Sequence, residues 1–355
     1  MIRKYVPSGT RDLIYEEAYA QELMEKRVSS LFLRLGFKPV RTPVLEYLET
    51  FNHEKQVLPE PSIFAFKDGD GRLVSLRPDN TSPVVRVALS KLKDEELPLL
   101  LYYMQSVFRN ETAFRAKKAE IMQGGVEIIG GNAAEEDLRC LFTALSTLKL
   151  CRDNYKLEIG HARFFDMLIE DCGLSDEEKT DLRQFVAAKN SAGYSFNLNM
   201  TNPRAVALAR ELPRLCGAPE KVLPTARLLA GGHSGALAIL SELETIVQTL
   251  SEAGYGPSVI IDLGIVQTID YYSGIVFKGY IENVGDAVLS GGRYDHLLAS
   301  FGSDLGACGF GLNLSDVAEN MDVQMPQPVR LRFDRGAQSL REAQARLDQE
   351  GGTKC

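Results

Sequence analysis

The sequence is poor in the side chains that staple small folds or hold metals. Its six cysteines, Cys140, Cys151, Cys172, Cys216, Cys308 and Cys355, lie far apart and form no C-x-x-C pair. That spacing argues against a zinc site and suggests no disulfide framework, so buried free thiols are the simpler reading. The four histidines, His53, His161, His233 and His296, are equally scattered, and no metal cluster is expected. No apolar run is long enough to span a bilayer, and no basic-then-apolar leader is present. These absences point to a cytoplasmic protein without metal, cofactor or membrane contact. Positive charge is also scarce: 40 Lys and Arg against 48 Asp and Glu leave a net charge of −8. A protein built chiefly to grip tRNA usually carries a basic surface. The acidic balance weakens that expectation but leaves room for a local basic patch.

What is present is length and an ordinary globular balance, 355 residues with 45% hydrophobic and 25% charged. This allows one large domain or two to three smaller ones, with core enough to need no disulfide or metal. Residues 16–35 predict an amphipathic helix: Met24, Val28, Leu31, Phe32 and Leu35 recur at three- and four-residue spacing, and Gly36 follows as a stop. Pro39 and Pro43 punctuate an extended stretch, and IFAFK and RLVSL flank DGDG as a hairpin. TSP before VVRVALSKL starts a helix, with Ser82 as cap and Pro83 at the first helical position. LLLYYMQSVFRNE and AEIMQGGVEIIGG read as two strands joined by a basic loop, and 133–150 as a helix. DEEKTDLRQFVAAK, NPRAVALARELPRL and GALAILSELETIVQTL then make a helical insertion over about 165–253. Strand signals return at SVIIDLG, IDYYSGIVFKGYI and DAVLSGGRYD, and GACGFGLNLSDVAENM runs from a last strand into a helix. The tail PVRLRFDRGAQSLREAQARLDQEGG reads as a short strand and a charged helix. The order predicts an α+β fold, an antiparallel sheet flanked by helices.

Four stretches carry candidate chemistry. In SLRPDNTSPVVR, Asp79 and Thr81 sit at a strand-to-helix turn, where polar side chains meet a ligand or merely cap the helix. In FRNETAFRAKKAEIMQGGVE, Arg109 ends one strand, and Gln123 and Glu127 share a face of the next because their separation is even. The arginine suits a carboxylate or phosphate, the other two an ammonium or imidazole N–H; a cross-strand ion pair is the plainer alternative. In QTIDYYSGIVF, Tyr271 and Tyr272 face opposite ways on a strand, so one is core and the other lines a pocket. In LSGGRYDHLL, paired glycines precede Tyr294 and permit close backbone approach or a tight bend; a simple β-turn is the alternative.

No stretch decides alone, but their order does. GTRD, RPDNT, FRNE with Q-x-x-x-E beginning at Gln123, IDYYSG and GGRYD together resemble the catalytic domain of histidyl-tRNA synthetase, over roughly residues 5 to 320. The resemblance implies a class II aminoacyl-tRNA synthetase-like antiparallel sheet, usually dimeric, with a helical insertion before the last motifs. It also implies a histidine pocket made by Asp79, Thr81, Arg109, Gln123, Glu127, Tyr272 and Tyr294, with Tyr271 counted beside them. Asp79 stands where the family has a glutamate and is one methylene shorter.

The chain departs from that family at the catalytic positions. The motif R-G-L-D-Y-Y becomes Gln267-Thr268-Ile269-Asp270-Tyr271-Tyr272, so a neutral amide replaces the arginine that stabilises transition-state charge. The G-x-E-R ending becomes Gly311-Leu312-Asn313-Leu314, which removes the acid and the arginine that holds the ATP tail. Only 30 residues follow Met325, too few for the family's anticodon-binding domain, so 1–325 is expected as one synthetase-like domain and 326–355 as a short remnant. This combination resembles the regulatory subunits of ATP phosphoribosyltransferase. Membership implies no catalytic residues and pairing with a short-form catalytic subunit in a hetero-octamer. It further implies that histidine is the effector, in feedback inhibition of the first step of histidine biosynthesis. A truncated or divergent histidyl-tRNA synthetase, or a stand-alone histidine-sensing paralogue, are the alternatives. Whether histidine would occupy the old substrate pocket or an inter-subunit site is left open by the sequence.

Overall fold

The computed structural model describes residues 4–53, 56–57, 62–110, 118–187, 207–208, 210–265, 272–327 and 337–350. Helix α1 spans Tyr15–Arg34. Strands β1 (Lys38–Pro39), β2 (Leu45–Tyr47), β3 (Asn52–His53), β4 (Gln56–Val57), β5 (Ala65–Lys67) and β6 (Leu73–Leu76) precede α2 (Thr81–Lys91). The long strands β7 (Leu99–Phe108) and β8 (Glu120–Ile129) lead to α3 (Ala133–Cys151) and β9 (Tyr155–His161). Helices α4 (Phe164–Ile169) and α5 (Asp176–Ala187), strand β10 (Cys216–Gly217), and helices α6 (Pro219–Ala230) and α7 (Ser234–Glu252) follow. Then come β11 (Val259–Asp262), β12 (Ile275–Ile281), β13 (Leu289–Arg293), α8 (Asp295–Ser300), β14 (Ala307–Asn313), α9 (Leu314–Glu319) and α10 (Ala337–Glu350).

Nine strands form the main sheet in the order β1-β7-β8-β14-β13-β12-β9-β11-β10. The run from β7 to β9 is antiparallel, as expected, but β1 lies parallel to β7 and β11 parallel to β9. The sheet is therefore mixed. The long helical crossover between β9 and β11 permits the second parallel pairing, which no tight turn could make. That crossover is not all helix: β10 leaves it to cap the sheet edge beside β11. Its helices also share the main core, since Leu182, Leu223, Leu240 and Leu243 pack in one cluster with Leu157, Ile159 and Phe277.

The alternation of the central strands divides the sheet into two faces. On one, Tyr102, Val126, Ile128, Leu312 and Phe310 pack beneath α1 and α3. Phe32 sits at the centre, with ring centroids 5.8 Å from Tyr102 and 6.1 Å from Phe310. On the other, Leu99, Leu101, Tyr103 and Ile129 meet Val84, Val85 and Ala88 of α2 and Leu297 and Leu298 of α8. These helices cover the margins of the second face, leaving its middle to polar side chains.

The expected hairpin is present as β5–β6, with Asp68 Oδ1 accepting from the N–H groups of Asp70 and Arg72 in the turn. Helix α2 starts two residues early, at Thr81. Asn80 is its N-cap and Pro83 its third residue, so Ser82 is not the cap. The N–H of Ser82 instead donates to Asp79 Oδ1 at 3.0 Å. Strand β9 and helix α6 were not anticipated, although Tyr155, Leu157, Ile159 and His161 alternate as a buried strand should. Residues 202–206 and 209 of NPRAVALARELPRL, the basic loop after FRNE and the tail strand at 328–333 lie outside the described residues; the charged tail helix is α10. Among the described residues no helix is long and apolar enough to cross a membrane.

Asn132 caps α3 by accepting from the N–H groups of Ala134 and Glu135 at 3.1 and 3.3 Å. Removing that oxygen strands both donors, so Asn132→Ala is expected to cost about 1 kcal/mol in urea denaturation. An unchanged midpoint would show that water replaces the cap without loss.

Candidate functional site

The middle of the second sheet face is a trough made by missing side chains. Glu127 lies opposite Gly309 of β14, and Gly125 opposite Gly311. A Cβ added at Gly309 would overlap Glu127 Oε2, and one at Gly311 would overlap Gln123 Nε2. Glu127 and Gln123 therefore lie flat over β14. Gly125 makes room in the same way for the hydroxyl of Tyr103. The paired glycines of GGRYD are extended residues within β13, not a turn. A Cβ at Gly292 would stand 2.7 Å from the ring of Tyr272, which covers that strand. This is the close-approach reading of the glycine pair. Tyr272 itself precedes β12 rather than lying on it.

Tyr294 follows β13 directly and is buried. Its hydroxyl donates to Glu127 Oε2 in a short bond. The preceding Arg293 locks it there. Arg293 Nε and Nη2 donate to Asp137 at 2.8–3.1 Å, Nη1 donates to Asp295 at 3.1 Å, and Nη2 also reaches the carbonyl of Ala133.

The turn before α2 brings the third wall. Asp79 is tied by Oδ1 to the Ser82 N–H, while its buried Oδ2 has no hydrogen-bond partner among the described residues. Glu127 Oε1 is buried and lacks a partner in the same sense. Arg109, half-buried just beyond β7, donates from Nε to the carbonyl of Pro78 at 3.3 Å and lies near enough to Asp79 to favour its ionised form. Gln123 Oε1 accepts from Asn80 Nδ2 at 2.9 Å.

Burial shifts both carboxyls of the site toward the neutral form. Burial pushes Glu127 up to about 8, with Asp79 nearby adding to the shift and the hydroxyls of Tyr294 and Thr81 opposing it. Burial likewise raises Asp79, against the pull of the Ser82 N–H and Arg109. Tyr103 and Tyr272 are raised by burial and by these carboxylates, so both remain phenols. An ammonium or N–H group placed between Asp79 and Glu127 would meet two desolvated acceptor oxygens, and Arg109 offers charge to a carboxylate.

Of the site residues expected from sequence, Asp79, Thr81, Arg109, Gln123, Glu127, Tyr272 and Tyr294 converge on this trough. Gln267 and Tyr271 lie outside the described residues. Asn313 and Leu314 point to structural duties. Asn313 caps α9, accepting from the Asp316 N–H at 3.1 Å, and Leu314 is wholly buried in the core beneath the opposite face. Sequence reasoning missed Tyr103, Asn80, Gln105, Gly309 and Gly311. The two glycines were readable, because alternate glycines in GACGFGLN empty one face of a strand. A further group has ligand-type atoms within 4.8 Å of one another, Glu158, Cys216 and Asp262. Within it the exposed Cys216 thiol approaches Glu158 Oε1 at 3.6 Å, a weak S–H···O contact.

Comparison with known proteins agrees with this architecture. Residues 9–317 match the family model described as histidyl-tRNA synthetase. A Clostridium kluyveri protein named ATP phosphoribosyltransferase regulatory subunit is 34% identical over 325 residues, 90% of this chain and 83% of that one. A protein of the same name from Acetivibrio thermocellus is 34% identical over 93% of this chain and 79% of its own length. The solved structure of an ATP phosphoribosyltransferase regulatory subunit/histidyl-tRNA synthetase from Bacillus halodurans superposes with a TM-score of 0.81 at 30% identity, covering 90% of this chain and 83% of that one. Histidyl-tRNA synthetase from Nostoc, at 18% identity, shares the fold with a TM-score of 0.77 over 99% of this chain and 85% of that one. The chain belongs to the histidyl-tRNA synthetase family, on its branch of ATP phosphoribosyltransferase regulatory subunits.

Proposed function

We propose that this regulatory subunit acts on a short-form ATP phosphoribosyltransferase catalytic subunit in the cytoplasm. The partner requires it for activity and is inhibited through it by histidine. The trough binds histidine, with Asp79 and Glu127 taking its N–H groups and Arg109 and Gln123 its carboxylate; Thr81, Tyr272 and Tyr294 complete the pocket. The observation that carries the pocket assignment is a pair of buried carboxylate oxygens beside a half-buried arginine: Asp79 Oδ2 and Glu127 Oε1 lack a hydrogen bond of good geometry among the described residues, although the Thr81 and Tyr103 hydroxyls lie near Glu127. A buried acceptor left unmade is costly, so the pocket gains most from a ligand that supplies donors there. Feedback then requires only that histidine bind the less active assembly more tightly than the active one. The departures at Gln267, Asn313 and Leu314 fit a chain that no longer activates an amino acid, and a dimer within a hetero-octamer fits the branch.

Reconstitution tests this reading. Phosphoribosyl transfer by a short catalytic subunit is expected to rise at least tenfold on adding this chain and to fall again with histidine. Transfer that is indifferent to the chain would overturn the assignment. Robust histidine-dependent ATP–pyrophosphate exchange by the chain alone would favour the divergent-synthetase alternative instead.

A further inference from the structure

The orientation of the Gln123 amide is set by a buried relay that starts at a backbone N–H on the far side of β7. Thr42 N–H donates to Gln105 Oε1 at 2.8 Å. A backbone N–H can only donate, so the oxygen of Gln105 faces Thr42, and its Nε2 donates onward to Asn80 Oδ1 at 3.1 Å. Asn80 is thereby fixed with Nδ2 outward, and that nitrogen donates to the carbonyl of Gln105 at 3.3 Å and to Gln123 Oε1 at 2.9 Å. The backbone carbonyl can only accept, which confirms the orientation from the other end. Thr42, Asn80 and Gln105 are all buried. Arg77 holds the starting segment by donating to the carbonyls of Thr42, Pro43 and Ser106 at 2.9, 3.2 and 2.7 Å.

With its oxygen committed to Asn80, Gln123 turns Nε2 over Gly311. No described residue accepts from that nitrogen. Reversing any amide in the series would set donor against donor, or acceptor against acceptor, in a buried place. The trough is therefore polarised: Gln123 Nε2 and the Arg109 guanidinium offer donors, while Asp79 Oδ2 and Glu127 Oε1 offer acceptors. The tips of Gln123 and Glu127 stand over Gly311 and Gly309, two residues apart on one strand, or about 7 Å. That is the span of a small amino acid.

We infer that Asn80 is a specificity-determining positioning residue: acting through Gln123, it makes the pocket demand a carboxylate on its ligand and so selects an α-amino acid over the corresponding amine or amino alcohol. The inference rests on the reading of the trough as a histidine pocket. It adds that the discrimination is not Arg109's alone but is shared with an amide whose sense is imposed from outside the pocket.

The test is calorimetric titration of the full-length chain with L-histidine and with L-histidinol, which has an alcohol in place of the carboxylate. The unmodified chain is expected to prefer histidine at least tenfold. Asn80→Asp replaces the donor to Gln123 by an acceptor and so rotates Gln123 Oε1 into the trough; Asn80→Ser removes the donor. In either variant the histidine-to-histidinol preference should fall at least fivefold, chiefly through weaker histidine binding. An unaltered preference in a folded variant, judged by circular dichroism, overturns the relay while leaving the histidine pocket standing. Failure of the unmodified chain to bind either ligand overturns the pocket and the relay with it. A second measurement needs no Asn80 variant. With glutamine selectively labelled with nitrogen-15, the side-chain NH2 resonance of Gln123, identified by its absence in Gln123→Met, should shift with histidine and not with histidinol. Equal shifts with both would also overturn the inference.

Discussion

Glu127→Gln is expected to make the protein less sensitive to alkaline pH than the unmodified chain and, at the same time, to weaken histidine binding. Burial raises Glu127 from an ordinary 4.5 to about 8, so the folded state holds a proton that the unfolded state has released. A carboxyl raised on folding contributes most at low pH, and stability declines as pH climbs from the unfolded value through the folded one. The limit is about 1.4 kcal/mol per pH unit across that window. Relaxation of the site and entry of water will reduce the total, and about 2–3 kcal/mol between pH 5 and pH 9 is a reasonable expectation. Glutamine does not titrate and has almost the same shape, so it accepts the Tyr294 hydroxyl bond without the pH dependence. Groups away from the site titrate alike in both proteins, so the difference between their urea midpoints across pH reports Glu127 together with its coupling to Asp79. The binding cost of losing a charged acceptor is about 1.5–3 kcal/mol, roughly ten- to a hundredfold in affinity. Parallel stability curves for the two proteins would mean that Glu127 is already ionised and solvated in the folded chain.

Arg293→Met should be the most destabilising single change near the site. The guanidinium makes three bonds to the Asp137 carboxylate, one to Asp295 and one to a helix carbonyl, nearly all away from water. Methionine fills most of the volume but abandons a buried Asp137, and breaking such a pair typically costs about 3–5 kcal/mol. Because the cost comes from the stranded partner, a second change, Asp137→Leu, should recover most of it. Arg293→Lys should recover much less, since one ammonium cannot reproduce the forked contacts. If the double variant is as unstable as the single one, the pair is not the source of the loss. Arg293 also precedes Tyr294, so the single variant should bind histidine weakly even where it remains folded.

Much of the fold was visible in the sequence because one physical signal dominated each element. Met24, Val28 and Phe32 share a helical stripe and do face the core. Gln123 and Glu127 share a strand face because four is an even number, and that parity survives any error in strand ends. The misses have a common cause. Parallel pairing of β9 with β11 and the place of β10 depend on where a long crossover returns, which no local pattern encodes. The start of α2 moved because Asp79, rather than Ser82, supplies the side-chain acceptor at that turn. Asn80 and Gln105 escaped notice because each is an ordinary polar residue in sequence. Their meaning comes from partners 25 and 63 positions away. Leu314 was read as the loss of a phosphate contact; its packing in the core gives the leucine a positive reason to be there as well.

The trough over Gly309 and Gly311 is shaped by omission, and this makes its evolution lopsided. A ligand site hollowed out by removable bulk can be enlarged one methylene at a time. Here the floor is already bare backbone, so every substitution at these two positions fills space and none creates it. New ligand preferences in this lineage are therefore open only to changes around the rim, at Asp79, Tyr272 or Arg109 and in the amides behind Gln123, while the width of the accepted molecule stays fixed by the spacing between strands.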